Sequence, residues 1–379
     1  MRSFYEVKNV PVHSCIMLPS EVEAREFPRG NIELCLCHSC GFVSNMAFDA
    51  GVQDYNPGYE DQQSFSPTFN SFAGRLAKQL VDKYDVHDKD VIEIGCGKGD
   101  FLALMCELGN NRGVGIDPTC VKERMKTPAI DRITIVQDYY SKRYAHYKGD
   151  MVMCRHTLEH IHPTYDFVRM VREVIGDRLD TVVFFEIPDV VIVLKDMVFW
   201  DVYYEHCSYF SPGSLGRLFR RCVFEVLDIY REYKDQYLLI DAKPSAGVST
   251  KTHSLEEDID EMVRDADHFA SRVPEQIEQW KSRIETMNKV GKPPVIWGSG
   301  SKCVAFLTTL GLRDEIGCVV DINPHRHGKF IPGAAREVMS PEYLKEYKPE
   351  TIIVMNPIYC EEITEMCSRM GVNAQVIGV

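Results

Sequence analysis

The chain has 379 residues, too many for one small core, and its length points to two or three domains. Its hydrophobic content of 45% and charged content of 26% are ordinary for a globular protein. A net charge of −13 argues against a nucleic-acid partner, which would want a basic face, but leaves room for a local Lys/Arg pocket around a small anion.

The N-terminus, Met1-Arg2-Ser3-Phe4-Tyr5-Glu6-Val7, lacks the apolar core of a secretory signal. Thr181–Trp200, the most apolar stretch, is interrupted by Glu186, Pro188, Asp189, Lys195 and Asp196, so it reads as core strand and loop with no membrane span. The 14 cysteines are scattered through apparent core elements, as expected of free thiols in a reducing cytoplasm.

The first 55 residues read as a small irregular module rich in Pro, Gly and Cys. Within it, Cys37-His38-Ser39-Cys40-Gly41 has the C-x-x-C turn of a zinc-knuckle half site, with Cys37 and Cys40 as candidate ligands. Zinc needs four ligands, no second C-x-x-C is present, and His13, Cys15 and Cys35 are the nearby substitutes. An incomplete, metal-free knuckle is the competing reading.

Tyr55-Asn56-Pro57-Gly58-Tyr59 marks a turn-rich boundary. Helical spacing over 69–84 leads into the first strand, Val91–Ile94. Strands at Gly113–Ile116, Ile133–Val136, Met151–Cys154 and Thr181–Phe185 follow, with helices at Phe101–Leu108 and Phe167–Ile175 between them. This alternation predicts a parallel, doubly wound α/β sheet over 56–248.

The first strand runs into Gly95-Cys96-Gly97-Lys98-Gly99, three glycines at alternate positions in a strand-to-helix turn. Glu93 stands two residues ahead of the turn. The second strand ends in Asp117-Pro118, roughly 20 residues on, the usual distance for an acid that holds a ribose diol. The G-x-G-x-G spacing with its leading acid resembles the S-adenosylmethionine (SAM) site of Rossmann-like methyltransferases more than a dinucleotide site. On that resemblance Glu93, Gly95 and Gly97 line the methionine part, Asp117 accepts the ribose hydroxyls and Asp138 lies near the adenine, with Gly99 and Pro118 also among the cofactor-binding residues.

Two loops follow strands of this sheet and carry reactive side chains. Cys154-Arg155-His156-Thr157-Leu158-Glu159-His160-Ile161-His162 sits at the carboxyl edge where open α/β sheets bind ligands. Orientation of substrate or donor by His160 and Arg155, metal binding by His156 and His160, and a structural role all stand as readings. Phe199–Phe210 packs six aromatics, Glu205 and His206 into 12 residues, the mixture of apolar walls and proton-transfer groups that tunes pKa values. His206, beside Tyr203 and Glu205, is the candidate acid or base, against the usual structural role of a lone histidine.

Lys243–Thr252 reads as a linker. Ser254-Leu255-Glu256-Glu257 resembles a capping box, and apolar residues then recur every three or four positions to Met287. This is a long amphipathic helix or a pair broken at Pro274, packed on a neighbouring domain or forming a dimer seam. A second, smaller α/β unit, 291–379, opens at Pro294-Val295-Ile296-Trp297-Gly298-Ser299-Gly300-Ser301-Lys302 and reaches Asp321 at the end of its next strand. It lacks the G-K-[ST] order of a P-loop, leaving a second small-molecule site or a plain Rossmann-like domain.

Together these residues resemble the SAM-dependent sugar C-methyltransferases, which act on nucleotide-linked keto-deoxysugars. Tyr203-Tyr204-Glu205-His206-Cys207-Ser208-Tyr209-Phe210 is similar to that family's Y-H-E-H-x-x-Y-F/Y run. Trp297–Lys302 and the run from Asp321 through Arg326 to Gly333 are similar to its Y-G-A-x-x-K-G and D-x-x-P-x-K-x-G-x-x-x-P-G. The resemblance implies a zinc-ribbon module over 1–55, a SAM domain over 56–248 and a C-terminal domain over 249–379. It also implies His206 as general base with Tyr203 beside it, His160 holding the substrate enolate, Glu205 in the catalytic run, and Lys302, Asp321 and Arg326 on the nucleotide side. The chain departs from the family at Tyr204, at Arg326, at Asp235-Gln236-Tyr237-Leu238 where relatives have Gly-Gly-Ser, and in the missing first C-x-x-C. O- or N-methylation of a small metabolite, and a non-catalytic SAM-binding protein, are the alternatives.

Overall fold

A computed structural model describes residues 1–257 and 259–379. Its strands in chain order are β1 (Arg2–Pro11), β2 (Arg29–Leu36), β3 (Val43–Asn45), β4 (Asp90–Ile94), β5 (Arg112–Ile116), β6 (Ile133–Val136), β7 (Met151–Arg155), β8 (Val182–Pro188), β9 (Ser208–Tyr209), β10 (Phe224–Glu232), β11 (Tyr237–Pro244), β12 (Val295–Trp297), β13 (Cys318–Val320), β14 (Val338–Met339), β15 (Thr351–Val354) and β16 (Gln375–Gly378). They form three sheets.

The largest sheet has seven strands in the order β10-β11-β8-β7-β4-β5-β6. β4 pairs in parallel with both β5 and β7, so the strand order reverses at β4 and opens a crevice beyond its carboxyl end. β11 joins β8 antiparallel, and β10 joins β11 the same way, which ends an otherwise parallel Rossmann-like sheet in an antiparallel edge. The central strands are apolar on both faces because helices cover both sides. Ser66 caps the preceding helix, Pro67–Tyr84, by accepting from the Phe69 N–H at 3.2 Å, and Pro67 starts it without wasting a donor.

Residues 1–55 are more regular than their composition suggests. β1 and β2 form a long antiparallel hairpin, and the sheet continues through β3 to β9. β1 alternates exposed and half-buried residues until Val10 and Pro11, so it lacks the apolar run that marks a core strand. β9 comes from the Phe199–Phe210 loop, which leaves the large sheet and pairs with β3.

The third sheet is all parallel, in the order β14-β13-β12-β15-β16, with its own switch point at β12. One core joins it to the N-terminal sheet: Ile32, Leu34, Phe199, Trp200, Phe269, Trp280 and Phe306 belong to a single buried cluster. The helix Ile259–Val290 contributes Met262, Ala266, Phe269, Val273, Trp280 and Ile284 to buried positions. It is continuous through Pro274, which is exposed, so water can replace the bond its ring forfeits. The capping-box expectation fails. The helix starts at Ile259, Glu256 pairs with Arg220, and Glu257 instead caps the helix Pro212–Arg221, accepting from Ser211 Oγ at 2.6 Å and Gly213 N at 3.0 Å. Among the described residues no helix is long and apolar enough to cross a membrane.

Candidate active site

A cavity of about 590 Å³ lies where the carboxyl ends of the parallel strands of the two larger sheets face each other, closed on a third side by Cys15, Tyr55 and Tyr59. Glu93, Gly95, Gly97, Asp117, Pro118 and Asp138 line one end. Lys302, Asp321 and Arg326 line the other, with Tyr203, His160 and His206 also on the wall.

At the first end the glycines have separate duties. Gly95 (φ +69°) passes so close to Thr157 that a Cβ would sit 1.9 Å from its hydroxyl. Gly97 (φ +53°) faces open space, with nothing nearer to a built Cβ than Asp61 at 3.8 Å, so a ligand can lie against its backbone. Gly99 does not line the cavity; it begins the helix Asp100–Leu108 in a left-handed conformation and packs against Met125.

Asp117 accepts from Gly97 N at 2.8 Å and from both the N–H and the hydroxyl of Thr119, at 2.6 and 2.7 Å. Burial pushes its carboxyl up, against these donors. Glu93 is 2% exposed and its Oε2 has no partner among the described residues. Burial pushes Glu93 to about 8, opposed by Arg155 and the Leu102 N–H. An orphaned buried carboxylate oxygen beside an open glycine fits a cationic amino-acid moiety laid along the turn. Asp138 accepts from Tyr139 N at 2.8 Å and is gripped by Tyr144 and Arg143.

The three loop histidines diverge, which undoes the metal reading of His156 with His160. His156 (φ +47°) bonds Glu186 at 2.9 Å; burial opposes its charge, yet Glu186 and Glu159 raise it to about 9. Arg155 spends its guanidinium on the same Glu186, at 2.8 and 3.1 Å, and Glu186 is held at about 2 despite its burial. His162 stacks on Phe48. His160 Nδ1 lies 3.0 Å from the Glu205 carbonyl and 2.9 Å from the Tyr55 hydroxyl. A carbonyl only accepts, so His160 carries its proton on Nδ1 and keeps Nε2 bare when neutral.

His206 stands edge-on to His160, ring centres 4.9 Å apart, and 4.1 Å from the Tyr203 ring. Burial, then the nearby basic side chains His160, His156 and Lys302, depress its pKa well below the ordinary histidine value. It is therefore a neutral imidazole at neutral pH. Glu159, His160 and His206 have ligand-type atoms within 4.8 Å of one another, the one such cluster among the described residues. Glu205 does not line the cavity; its carboxylate is taken by His13 and Ser14.

At the far end Asp321 accepts from Ser299 N at 2.8 Å, Ser299 Oγ at 2.7 Å and Asn323 N at 2.8 Å. Arg326 donates to Ser299 Oγ at 3.0 Å and to the Glu60 carbonyl, and its Nε has no partner among the described residues. Lys302 is pinned to Asp201 at 2.8 Å.

Cys37 and Cys40 sit in the β2–β3 turn as half-exposed free thiols. No third ligand joins them among the described residues. The substitutes lie elsewhere: His13 bonds Glu205, Cys15 faces Arg326, and Cys35 faces Glu33. The donor set does not fit a structural zinc. The sequence reading takes Tyr55 only as part of a boundary turn and His13 only as a substitute zinc ligand; their contacts to His160 and Glu205 carry no local signal.

Residues 69–229 match the model of a methyltransferase domain, and residues 244–375 match that of a C-methyltransferase C-terminal domain. The C-methyltransferase NovU of Streptomyces niveus is 26% identical over 312 residues, 77% of this chain and 72% of that protein. Among solved structures, the 1,6-didemethyltoxoflavin-N1-methyltransferase of Burkholderia thailandensis aligns at 17% identity and TM-score 0.34 over 47% of this chain and 81% of that one. The N,N-8-amino-8-demethyl-D-riboflavin dimethyltransferase RosA of Streptomyces davawensis aligns at 17% and 0.38, covering 47% and 56%.

The chain is an SAM-dependent methyltransferase. Its C-terminal third carries the C-terminal domain of C-methyltransferases, and the function these findings support is that of an SAM-dependent C-methyltransferase.

Proposed function

We propose that the protein methylates a carbon beside the ketone of a nucleotide-linked keto-deoxysugar, with His206 as general base. The observation that carries this reading is a neutral, buried imidazole in the wall of the cavity that Glu93, Gly97 and Asp117 also line. SAM would supply an electrophilic methyl group, held by Glu93 and Gly97 along its methionine part, Asp117 at its ribose and Asp138 near its adenine.

His206 takes a proton from the carbon next to the ketone and becomes an imidazolium; the electron pair moves onto the ketone oxygen as an enolate. The enolate carbon then forms the new C–C bond while the donor's C–S bond breaks. His160 stabilises the enolate oxygen. Because its Nδ1–H is committed to the Glu205 carbonyl, Nε2 is the ring atom left to meet the enolate oxygen, and it hydrogen-bonds that oxygen when it carries a proton. Tyr203 packs on His206 and orients the ring. Lys302, Asp321 and Arg326 supply cationic and hydrogen-bonding groups for the nucleotide, Arg326 with an unused Nε.

Incubation with SAM and a panel of nucleotide-linked keto-deoxysugars, with mass-spectral location of the added methyl, tests the reading. A methyl on carbon is expected; a methyl on oxygen or nitrogen, or none, overturns it.

A further inference from the structure

The Glu205 carboxylate ties its loop to the N-terminal module and, through Ser14, to the glycine turn of the C-terminal sheet. It is 1% exposed, and three donors from the N-terminal module meet it: His13 Nδ1 at 3.0 Å, Ser14 N at 2.9 Å and the Ser14 hydroxyl. Both donor residues are themselves 2% exposed. The direction of the histidine bond is fixed, because the Asp54 N–H donates to His13 Nε2 at 3.0 Å. Nε2 is therefore bare, and Nδ1 carries the proton that goes to Glu205. Ser14 has one hydroxyl proton, and a carboxylate only accepts, so that proton also goes to Glu205. The contact between Ser14 Oγ and Ser301 Oγ, 2.7 Å, then has Ser301 as donor. Ser301 is the first residue of the helix Ser301–Leu310, at the glycine turn of the C-terminal sheet.

The other end of Glu205 faces the chemistry. Its backbone carbonyl accepts the His160 Nδ1–H, and its chain neighbour is His206. The N-terminal sheet secures the same loop a second time, where Ser44 Oγ and Asn45 N both donate to the Cys207 carbonyl, at 2.9 and 3.0 Å. We propose that His13 and Ser14 are positioning residues: by holding the Glu205 carboxylate they fix the Glu205 carbonyl, which holds His160 in one tautomer and one orientation against His206. This deepens the proposed function and rests on its assignment of His160 and His206.

A buried carboxylate that loses one of its three donors is left under-compensated and shifts toward the remaining two, carrying its carbonyl with it. The test uses the full chain with ¹⁵N-labelled histidine rings, His160 being assigned from His160→Gln. In the parent protein His160 should show a slowly exchanging Nδ1–H. His13→Leu should mix its tautomers and lower kcat tenfold or more on a keto-deoxysugar acceptor, with the SAM Kd within twofold. His13→Asn, which keeps an N–H donor near the Nδ1 position, should restore the tautomer and bring kcat within threefold of the parent. Ser14→Ala, a smaller change, should act as His13→Leu does and serves as the test if the leucine variant does not fold. An unchanged His160 tautomer in folded His13→Leu or Ser14→Ala overturns the proposal, as does equal loss from the leucine and asparagine variants. The ring signals need no acceptor, so a parent protein that methylates no carbon would sink the proposed function without deciding this inference.

Discussion

The donor end of the cavity and its histidine face are built in opposite ways. Glu93, Gly97 and Asp117 come from one strand–turn–helix and the strand beside it, and Asp117 is held from within that unit by Gly97 and Thr119. The histidine face is drawn from four separate stretches: His160 after β7, His206 on a loop that returns through β9, Tyr55 from the turn before the helix Pro67–Tyr84, and His13 beyond β1. A locally built site is robust to what surrounds it. A site assembled from afar depends on how the modules sit together, and substitutions at each end should separate binding from turnover.

The largest effect is expected at His206. His206→Asn should lower kcat by at least about 100-fold, the contribution of a positioned general base. Calorimetry should find SAM binding within a few-fold of the parent, because the donor end does not touch that ring. Its depressed pKa also fixes the sign of the acid limb. The neutral, base-competent form persists as pH falls through the ordinary histidine range, and turnover should fail only below it. A kcat that halves near the ordinary histidine value, or near-parental kcat in the asparagine variant, would break the assignment.

Asp117→Ala reverses the pattern. Removing the carboxylate proposed to accept the two ribose hydroxyls should cost about 1.5–3 kcal/mol, roughly 10- to 150-fold in Kd for SAM. At saturating donor, kcat should fall far less. An unchanged Kd by calorimetry would mean that the ribose is held elsewhere.

The same division governs what the sequence discloses. The donor end is legible because its signal is contiguous: an apolar run, an acid, glycines two apart, a second run ending in acid. Even there Gly99 proves to serve the helix start and not the cavity. His206 and Tyr203 stand out by local density, but Glu205, in the same run, faces the other way. No periodicity tells which way a residue in an irregular loop points. His13 and Tyr55 acquire meaning only through contacts 192 and 105 residues away. The Cys37–Cys40 turn misleads for the converse reason: a half site is local, whereas the ligands that would complete it must come from elsewhere, and they do not.

Glu93 offers a test that is confined to the donor end. In the free protein burial holds it at about 8, so it is mostly a neutral acid at pH 7. The donor's ammonium favours the carboxylate, so binding must expel a proton. The SAM affinity should then rise about tenfold per pH unit up to about 8 and level off above it. Calorimetry in buffers of different ionisation enthalpy should detect close to one proton released at pH 7. Glu93→Gln should abolish both effects. A pH-independent Kd in the parent would remove Glu93 from the methionine end.

The smallest effect is expected at the Tyr55 hydroxyl, and it sharpens the comparison most. The Glu205 carbonyl already takes the His160 Nδ1–H, so Tyr55 can only share that proton or leave it. Loss of a shared, neutral hydrogen bond is worth about 0.5–1.5 kcal/mol. Tyr55→Phe should therefore lower kcat by roughly 3- to 10-fold with the SAM Kd unchanged. A loss on the scale of His206→Asn would give the phenol a direct part in proton transfer, and the histidine face would then need an aromatic hydroxyl as well as two imidazoles. No loss at all would leave the Glu205 carbonyl as the sole anchor of His160, and the burden of positioning would pass entirely to the loop that the N-terminal sheet holds.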